Sequence, residues 1–287
     1  MKRTTILREL LGRPGTVLAP GVHDAIGACI VEKAGFDACY ITGNGLVAST
    51  LGVPDIGLMT QTEVVSRAAS IASSINIPVI CDADTGYGSA NNVARTVRLF
   101  EQAGVAGIHI EDQVNPKRCG AMSGLKLVPV EEACNRIRAA VEARRDDDFV
   151  IIARTDARAA MTLEEAIQRV NAYADAGADL VFVEMLESRE EIKTVASSVP
   201  RPLLYDMLGV SRDMILSAPE LESLGVKVVI YPLSSTLLYA KATLELMQSL
   251  KATGTIESHF EELMDLHEYE ELMGLSRHRE FASRFDK

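Results

Sequence analysis

Carboxylates stand in close groups at Asp82-Ala83-Asp84 and Glu111-Asp112, with single ones at Asp156, Glu184 and Asp206. Asp82 and Asp84 are two apart in a run of strand-like composition, so period-two alternation predicts that both side chains point to one side. Glu111 closes the next such run. Three carboxylates converging at one rim repel one another unless a cation stands between them. Oxygen-only ligation selects a hard ion, Mg²⁺ or alternatively Mn²⁺, which takes one or two carboxylates directly and keeps several waters. The plainer reading is a set of solvated carboxylates capping helices. Gly86 and Gly88, in Asp84-Thr85-Gly86-Tyr87-Gly88, favour the metal, because glycines let a backbone approach a bound ligand.

Cys119 lies in Asn115-Pro116-Lys117-Arg118-Cys119-Gly120-Ala121. Two cations and a glycine beside it predict exposure and thiolate character. Cys29 and Cys134 fall in predicted helices and Cys39 and Cys81 in predicted strands, where a thiol behaves as a small hydrophobe. Arg154 closes an apolar run, and a guanidinium there needs an anionic partner. A substrate carboxylate is favoured over a structural ion pair. His109 alternates with Ile108 and Ile110 and fits a packed histidine as well as a site residue; His23 is equally ambiguous. His259, His267 and His278 read as surface positions.

These residues need a scaffold that gathers them. Eight β-rich runs recur, at 16–22, 37–42, 78–84, 107–112, 149–156, 178–184, 202–206 and 226–231. Between most of them lie segments with apolar residues at helical spacing, at 24–34, 61–75, 90–103, 130–144, 163–176 and 189–199, with a further one at 235–251. The connection after the second run, from Gly45 to Gly57, reads as longer and irregular. Residues 1–12 read as a short amphipathic helix. Gly35, Gly104, Gly177 and Gly225 each follow a predicted helix and precede a strand, a fourfold internal echo. The pattern is that of an α/β chain folded as one (β/α)₈ TIM-type barrel over 1–287, with 235–287 forming the eighth helix and C-terminal helices. An open eight-stranded sheet is the alternative. In a barrel, chemistry sits at the carboxyl ends of the strands, and those ends hold His23-Asp24, Thr42-Gly43-Asn44, Asp82-Ala83-Asp84, Glu111-Asp112, Arg154-Thr155-Asp156, Glu184, Asp206 and Tyr231-Pro232-Leu233-Ser234.

Composition narrows the classes. The chain has 287 residues, 47% of them hydrophobic, enough to bury a real core. Its net charge of −11 argues against a nucleic-acid partner or an anionic membrane surface. An anionic substrate must therefore be held by a local patch or a metal. No secretion signal or membrane span is expected, and five unclustered cysteines point to a reducing cytoplasm. A Schiff-base aldolase is disfavoured because no lysine closes a strand. A nicotinamide enzyme is disfavoured because no Gly-x-Gly-x-x-Gly turn follows one.

Taken together, Asp82-Ala83-Asp84-Thr85-Gly86-Tyr87-Gly88, Glu111-Asp112-Gln113, Pro116-Lys117-Arg118-Cys119-Gly120, Ala153-Arg154-Thr155-Asp156 and Tyr231-Pro232-Leu233-Ser234 resemble the isocitrate lyase/phosphoenolpyruvate mutase superfamily. Within it the resemblance is to the 2-methylisocitrate lyase and 2,3-dimethylmalate lyase branch, and it runs from Leu18 to Leu275. It implies a barrel whose eighth helix is exchanged with a neighbouring subunit in a homotetramer. It implies Mg²⁺ near Asp82, Asp84 and Glu111, with Asp55 close to the ion and its waters. Thr42, Gly43 and Asn44 match a turn whose N–H groups hold a 2-oxo-acid carboxylate, and Arg154 an arginine on the substrate. Cys119 matches the thiol of a gating loop, and Tyr40 a tyrosine near the substrate. Gly120, Glu184, Asp206, Pro232 and Ser234 are carried over as substrate-binding positions.

The implied activity is Mg²⁺-dependent retro-Claisen (aldol-type) cleavage of a substituted malate-like 2-hydroxy acid, giving a 2-oxo acid and a carboxylic acid, with Cys119 as general acid. The alternatives are oxaloacetate decarboxylation or hydrolysis, or phosphonate mutase-type chemistry, on the same scaffold; a non-catalytic barrel is disfavoured. Two departures stand out. Ala121 occurs where relatives usually carry His, and Asp206, in Asp206-Met207-Leu208-Gly209-Val210, where they usually carry Asn. A carboxylate in place of an amide repels a substrate carboxylate, which favours a smaller malate-type acid over a tricarboxylate.

Overall fold

The computed structural model describes residues 1–209 and 211–286; Val210, at the end of the segment that carries Asp206, and Lys287 lie outside the described residues. Eight parallel strands close on themselves: Val17–Val22 (β1), Cys39–Ile41 (β2), Val79–Asp82 (β3), Gly107–Glu111 (β4), Val150–Thr155 (β5), Leu180–Val183 (β6), Leu203–Asp206 (β7) and Val226–Tyr231 (β8). Pairing of β8 with β1 shuts the barrel and removes the open-sheet alternative. Parallel strands covered on both faces must be apolar nearly throughout, and β3, β4, β5, β6 and β7 are buried along their whole lengths.

The surrounding helices are Arg3–Gly12 (α1), Ala25–Lys33 (α2), Gly43–Leu51 (α3), Gln61–Ser74 (α4), Ala90–Gln102 (α5), Val130–Ala143 (α6), Ala157–Ala160 (α7), Leu163–Asp175 (α8), Arg189–Ser198 (α9), Ala218–Ser223 (α10), Ser234–Thr253 (α11), Leu266–Leu272 (α12) and Leu275–Ser283 (α13). Local chemistry sets their ends. Thr60 and Glu63 form a reciprocal capping box at the start of α4. Gly35, Gly104, Gly177 and Gly225 all take positive φ, as the fourfold echo requires. Leu7 and Leu10 of α1 join Ile80, Ile152, Phe182 and Ile230 in the barrel's inner core.

Two expectations are corrected. The segment after β2 is irregular only in part: Thr42 caps a nine-residue helix, α3, and the chain is irregular from Gly52 to Gly57. Asp84 is not a strand residue but a turn residue at φ +49°, whose N–H donates to Asp82 Oδ1 at 2.9 Å. Strand alternation therefore does not place these two carboxylates; a turn does.

Register aligns the functional rim. Asp82 lies opposite His109, and Glu111 opposite Arg154. Just beyond β4, Asp112 ties the barrel wall to α8. Its Oδ2 accepts from Thr155 (2.6 Å), Tyr173 (2.8 Å) and Arg169 (3.1 Å), while its Oδ1 accepts from the Asp156 N–H (3.1 Å). Breaking a buried ion pair from one side strands the other charge, at a cost of about 3–5 kcal/mol. Arg169→Met is accordingly expected to lower the urea stability by about 3 kcal/mol. A loss below about 1 kcal/mol, the scale of an exposed pair, would show that solvent relieves Asp112.

Candidate active site

The carboxyl ends of the strands surround a small cavity, with room for little more than about 30 Å³ of water. Of the expected site residues, Tyr40, Thr42, Asn44, Asp55, Asp82, Cys119, Gly120, Arg154, Glu184, Asp206 and Pro232 line it. Gly43, Asp84 and Glu111 stand just behind this lining, each against a residue that forms it. Ser234 does not belong: it is exposed at the start of α11. Gly86 and Gly88 do not approach the cavity either. Their positive φ shapes the turn into α5, and a Cβ there would press on Val93 and Asn92.

Thr42 Oγ1 accepts from the Gly45 N–H at 3.3 Å, which leaves the N–H groups of Gly43 and Asn44 at the open N-terminus of α3, where an anion is favoured. Gly43 is required there because a Cβ would collide with the carboxylate of Asp82. Asp82 is buried, and although burial raises its pKa, His109, Lys117 and Arg154 outweigh that and hold it near 2. Beneath it the Tyr40 hydroxyl bonds His109 Nε2 at 2.8 Å. Burial lowers the His109 pKa to about 4, so the imidazole is neutral at pH 7, and burial pushes the Tyr40 hydroxyl well up. His109 is thus a packed, hydrogen-bonded histidine under the floor of the site.

Two cations divide the acidic rim between them. Arg154 Nη2 reaches Asp156 Oδ1 at 2.8 Å and Glu184 Oε2 at 3.4 Å, its Nε reaches Glu111 Oε2 at 3.4 Å, and its guanidinium lies 5.1 Å above the Phe182 ring. The structural ion pairs are therefore present, and a substrate carboxylate at Arg154 would share it with them. Lys117, buried on the loop after β4, reaches Asp55 Oδ2 and Asp84 Oδ1, each at 2.8 Å. No strand end supplies a lysine, yet the loop brings one in. Burial lowers the Lys117 pKa, but the carboxylates around it raise it further, so it stays an ammonium and cannot form a Schiff base.

These cations do not satisfy the whole rim. Both oxygens of Glu111, and single oxygens of Asp55, Glu184 and Asp206, are buried without a hydrogen-bond donor. Burial raises Glu111 and Glu184 well above the usual carboxylate range, despite Arg154, and raises Asp84 to about 6 and Asp206 to about 7. Such a rim is relieved either by protons or by a divalent cation, so the donor set fits a hard ion. Among the described residues, however, no three carboxylates, histidines or cysteines converge to cage an ion by themselves. Of the three carboxylates expected near the ion, Asp82, Asp84 and Glu111, Asp84 is engaged by Lys117. The fit is to an ion on one or two of these carboxylates with water completing its shell.

Cys119 is half-buried, its N–H donating to the Asp55 carbonyl at 3.0 Å. Burial raises its thiol pKa, which overturns the expected thiolate, and Lys117, one of the cations near it in sequence, turns to Asp55 and Asp84. Gly120 rests so closely on the site that a Cβ would lie 2.6 Å from Asp156 Oδ1 and from Glu184 Cγ. Sequence reasoning assigned no role to Lys117 as an acid-binding group or to Phe182, Leu208, Ile230 and Leu233 as cavity walls. The apolar four carry no chemical signature; only the barrel's curvature turns them inward.

Residues 7–251 match the family model described as phosphoenolpyruvate phosphomutase. The chain is 45% identical to a 2,3-dimethylmalate lyase of Eubacterium barkeri over 280 residues, covering 98% of this chain and 97% of the relative. It is 42% identical to a 2-methylisocitrate lyase of Halalkalibacterium halodurans, with 89% and 84% covered. Among solved structures, a 2,3-dimethylmalate lyase superposes with a TM-score of 0.93 at 37% identity, covering 100% and 96% of the two chains. Oxaloacetate acetylhydrolase bound to 3,3-difluorooxalacetate superposes at 0.91 and 34% (98% and 96% covered), and phosphonopyruvate hydrolase bound to oxalate and Mg²⁺ at 0.91 and 32% (100% of each).

Asp206 provides a test of the site's electrostatics. Its carboxyl titrates near 7 when folded against 3.8 as a free group, so well below pH 3.8 both states are protonated and its burial costs little. As pH rises from 4 to 7 the unfolded state loses its proton first, and the folded state is progressively destabilised. Asp206→Asn removes that penalty. The variant is expected to be more stable than the parent at pH 8, on the order of 2 kcal/mol by denaturant titration, with the difference vanishing below about pH 3. A difference independent of pH would place the origin outside this carboxyl.

Proposed function

This chain belongs to the phosphoenolpyruvate phosphomutase family, and from that premise we propose that it is a Mg²⁺-dependent carbon–carbon lyase acting on a substituted malate-like 2-hydroxy acid. Cleavage of C2–C3 would yield a 2-oxo acid and a carboxylic acid. The observation that carries this reading is the loop after β4, seated on Arg154 and Glu184 with a protonated thiol beside the cavity. Decarboxylation and phosphonate chemistry have less use for such an acid.

A divalent cation held by Asp82 and Glu111, with Asp55 and Asp84 nearby, would supply Lewis-acid stabilisation of the charge on the C2 oxygen, whose hydroxyl proton would pass to a rim carboxylate as the C2–C3 bond breaks. Arg154 offsets the carboxylate charge of the fragment that departs. The N–H groups of Gly43 and Asn44, at the start of α3, hold the carboxylate next to C2. Tyr40, tied to His109, orients rather than titrates, because burial keeps its hydroxyl protonated. Cys119 donates a proton to the carbanion carbon, a role that needs a thiol and not a thiolate. Gly120, pressed on the site, lets the loop exclude water while this happens. Asp206, half-neutral at pH 7, weakens but does not abolish the repulsion of a third carboxylate, which supports a dicarboxylate substrate.

Assembly belongs to the same reading. None of the twenty residues of α11 is buried, and Leu237, Leu238, Tyr239, Leu244 and Met247 are exposed. A helix that apolar on a soluble chain is best explained by exchange with a neighbouring subunit in a homotetramer. No described helix is long and apolar enough to cross a membrane, and all five cysteines are free thiols, which supports a reducing cytoplasmic location.

A panel of 2-alkylmalates, methylisocitrate, oxaloacetate and phosphonopyruvate, assayed with Mg²⁺ for the 2-oxo acid released, tests the activity. Turnover of an alkylmalate is expected, abolished by excess chelator and restored by Mg²⁺ or Mn²⁺. Turnover of oxaloacetate or phosphonopyruvate alone, or full activity in chelator, would overturn the reading. Cys119→Ala is expected to reduce lyase turnover ~10²–10⁴-fold with the fold intact by circular dichroism. Retention of most activity would remove the thiol from the chemistry.

A further inference from the structure

The loop that carries Cys119 is fastened by a side chain that has no part in the chemistry above. Gln113, buried just after β4, uses its amide as a piece of strand: Arg118 N–H donates to Gln113 Oε1 at 2.9 Å, and Gln113 Nε2 donates to the Arg118 carbonyl at 2.9 Å. The same Nε2 reaches Asp156 Oδ2 at 3.3 Å, and the other oxygen of that carboxylate accepts from Arg154 Nη2 at 2.8 Å. Arg136 of α6 holds the Gln113 carbonyl at 3.1 Å, so the anchor of this chain is itself fixed. Arg118 immediately precedes Cys119, and Gly120 lies against Asp156 and Arg154. A continuous hydrogen-bonded line therefore runs from the guanidinium, through Asp156 and Gln113, to the main chain beside the thiol.

We infer that Gln113 is a positioning residue that latches the Cys119 loop shut and, through Asp156, makes closure depend on the state of Arg154. Three features carry this. The contact to Arg118 is main-chain, so it selects one path of the loop whatever side chain is there. Gln113 is the right length to span Arg118 and Asp156 at once, which a shorter amide is not. And Asp156 divides its two oxygens between the latch and Arg154, so an anion that draws Arg154 toward the cavity alters the partner of the latch. The inference rests on Cys119 and Arg154 being site groups, but its readout below is independent of turnover.

The test is the rate at which iodoacetamide alkylates Cys119 in the full-length protein, followed by peptide mass spectrometry to separate it from the other thiols, with and without Mg²⁺ and oxalate as the anionic probe. The parent is expected to react slowly and more slowly still with oxalate. In Gln113→Leu, which matches the volume but loses all three contacts, alkylation is expected to rise roughly tenfold. Protection by oxalate is expected to disappear, and kcat on the best alkylmalate to fall more than KM rises. Gln113→Asn keeps a polar group in the site and should behave the same way, which covers the case in which the leucine variant does not fold. Asp156→Asn retains an acceptor for Gln113 but frees Arg154; it should stay slowly alkylated without oxalate and gain little from it. Unchanged alkylation and oxalate protection in a folded Gln113 variant would overturn the latch. A panel without any turnover beside an intact latch pattern would instead count against the proposed reaction and leave the latch standing.

Discussion

Everything at the functional end of this barrel answers to one electrostatic constraint: more carboxyl groups are buried there than the protein's own cations can pair. Lys117 and Arg154 each hold carboxylates at ion-pair distance, yet Glu111 is left without a hydrogen-bond donor and Glu184 and Asp206 with one bare oxygen each. A buried, unpaired carboxylate is costly, so such groups shift toward the protonated form. A fold keeps this arrangement only if something worth more than stability is gained. A standing demand for positive charge is what a site needs if it is to take up a hard cation and then stabilise negative charge in a bound acid.

The two cations come from different kinds of element, and that divides their work. Arg154 ends β5, and its position follows from strand register opposite Glu111. Lys117 comes on a loop, whose path brings it to Asp55 and Asp84. The rim is thus set by strand register on one side and completed by a loop on the other. Burial raises the pKa of the Cys119 thiol. The Asp112–Arg169–Tyr173 cluster behind the rim serves a different end, clamping the barrel wall to α8.

The cavity wall leads directly into the first of the C-terminal helices. Pro232 and Leu233 form part of its wall, and α11 starts at the next residue. Ser235 donates to the Gly21 carbonyl at 2.6 Å, and Thr236 is hydrogen-bonded to His23 at 2.9 Å, so the first turn of α11 is tied to the end of β1. Beyond it the helix runs on with its apolar residues uncovered.

Much of this was written in local sequence. The periodic apolar runs, the four glycines that end helices ahead of strands, and the polar residues concentrated at the strand ends define an eight-unit barrel and its working rim, because parallel strands leave no other place for charge. The combination of motifs around Asp82, Glu111, Cys119 and Arg154 was enough to identify the family. Tertiary structure decided what those groups are to each other. It placed Asp84 by a turn and not by strand alternation, folded the segment after β2 into a helix whose open end faces the cavity, and turned Lys117 from a neighbour of Cys119 into the partner of two distant carboxylates. Burial of the loop against the rim reversed the expected charge state of the Cys119 thiol. The physical reason is that secondary structure depends on neighbours along the chain, whereas a pKa depends on burial and on charges that only the closed barrel and its loop bring within a few ångströms.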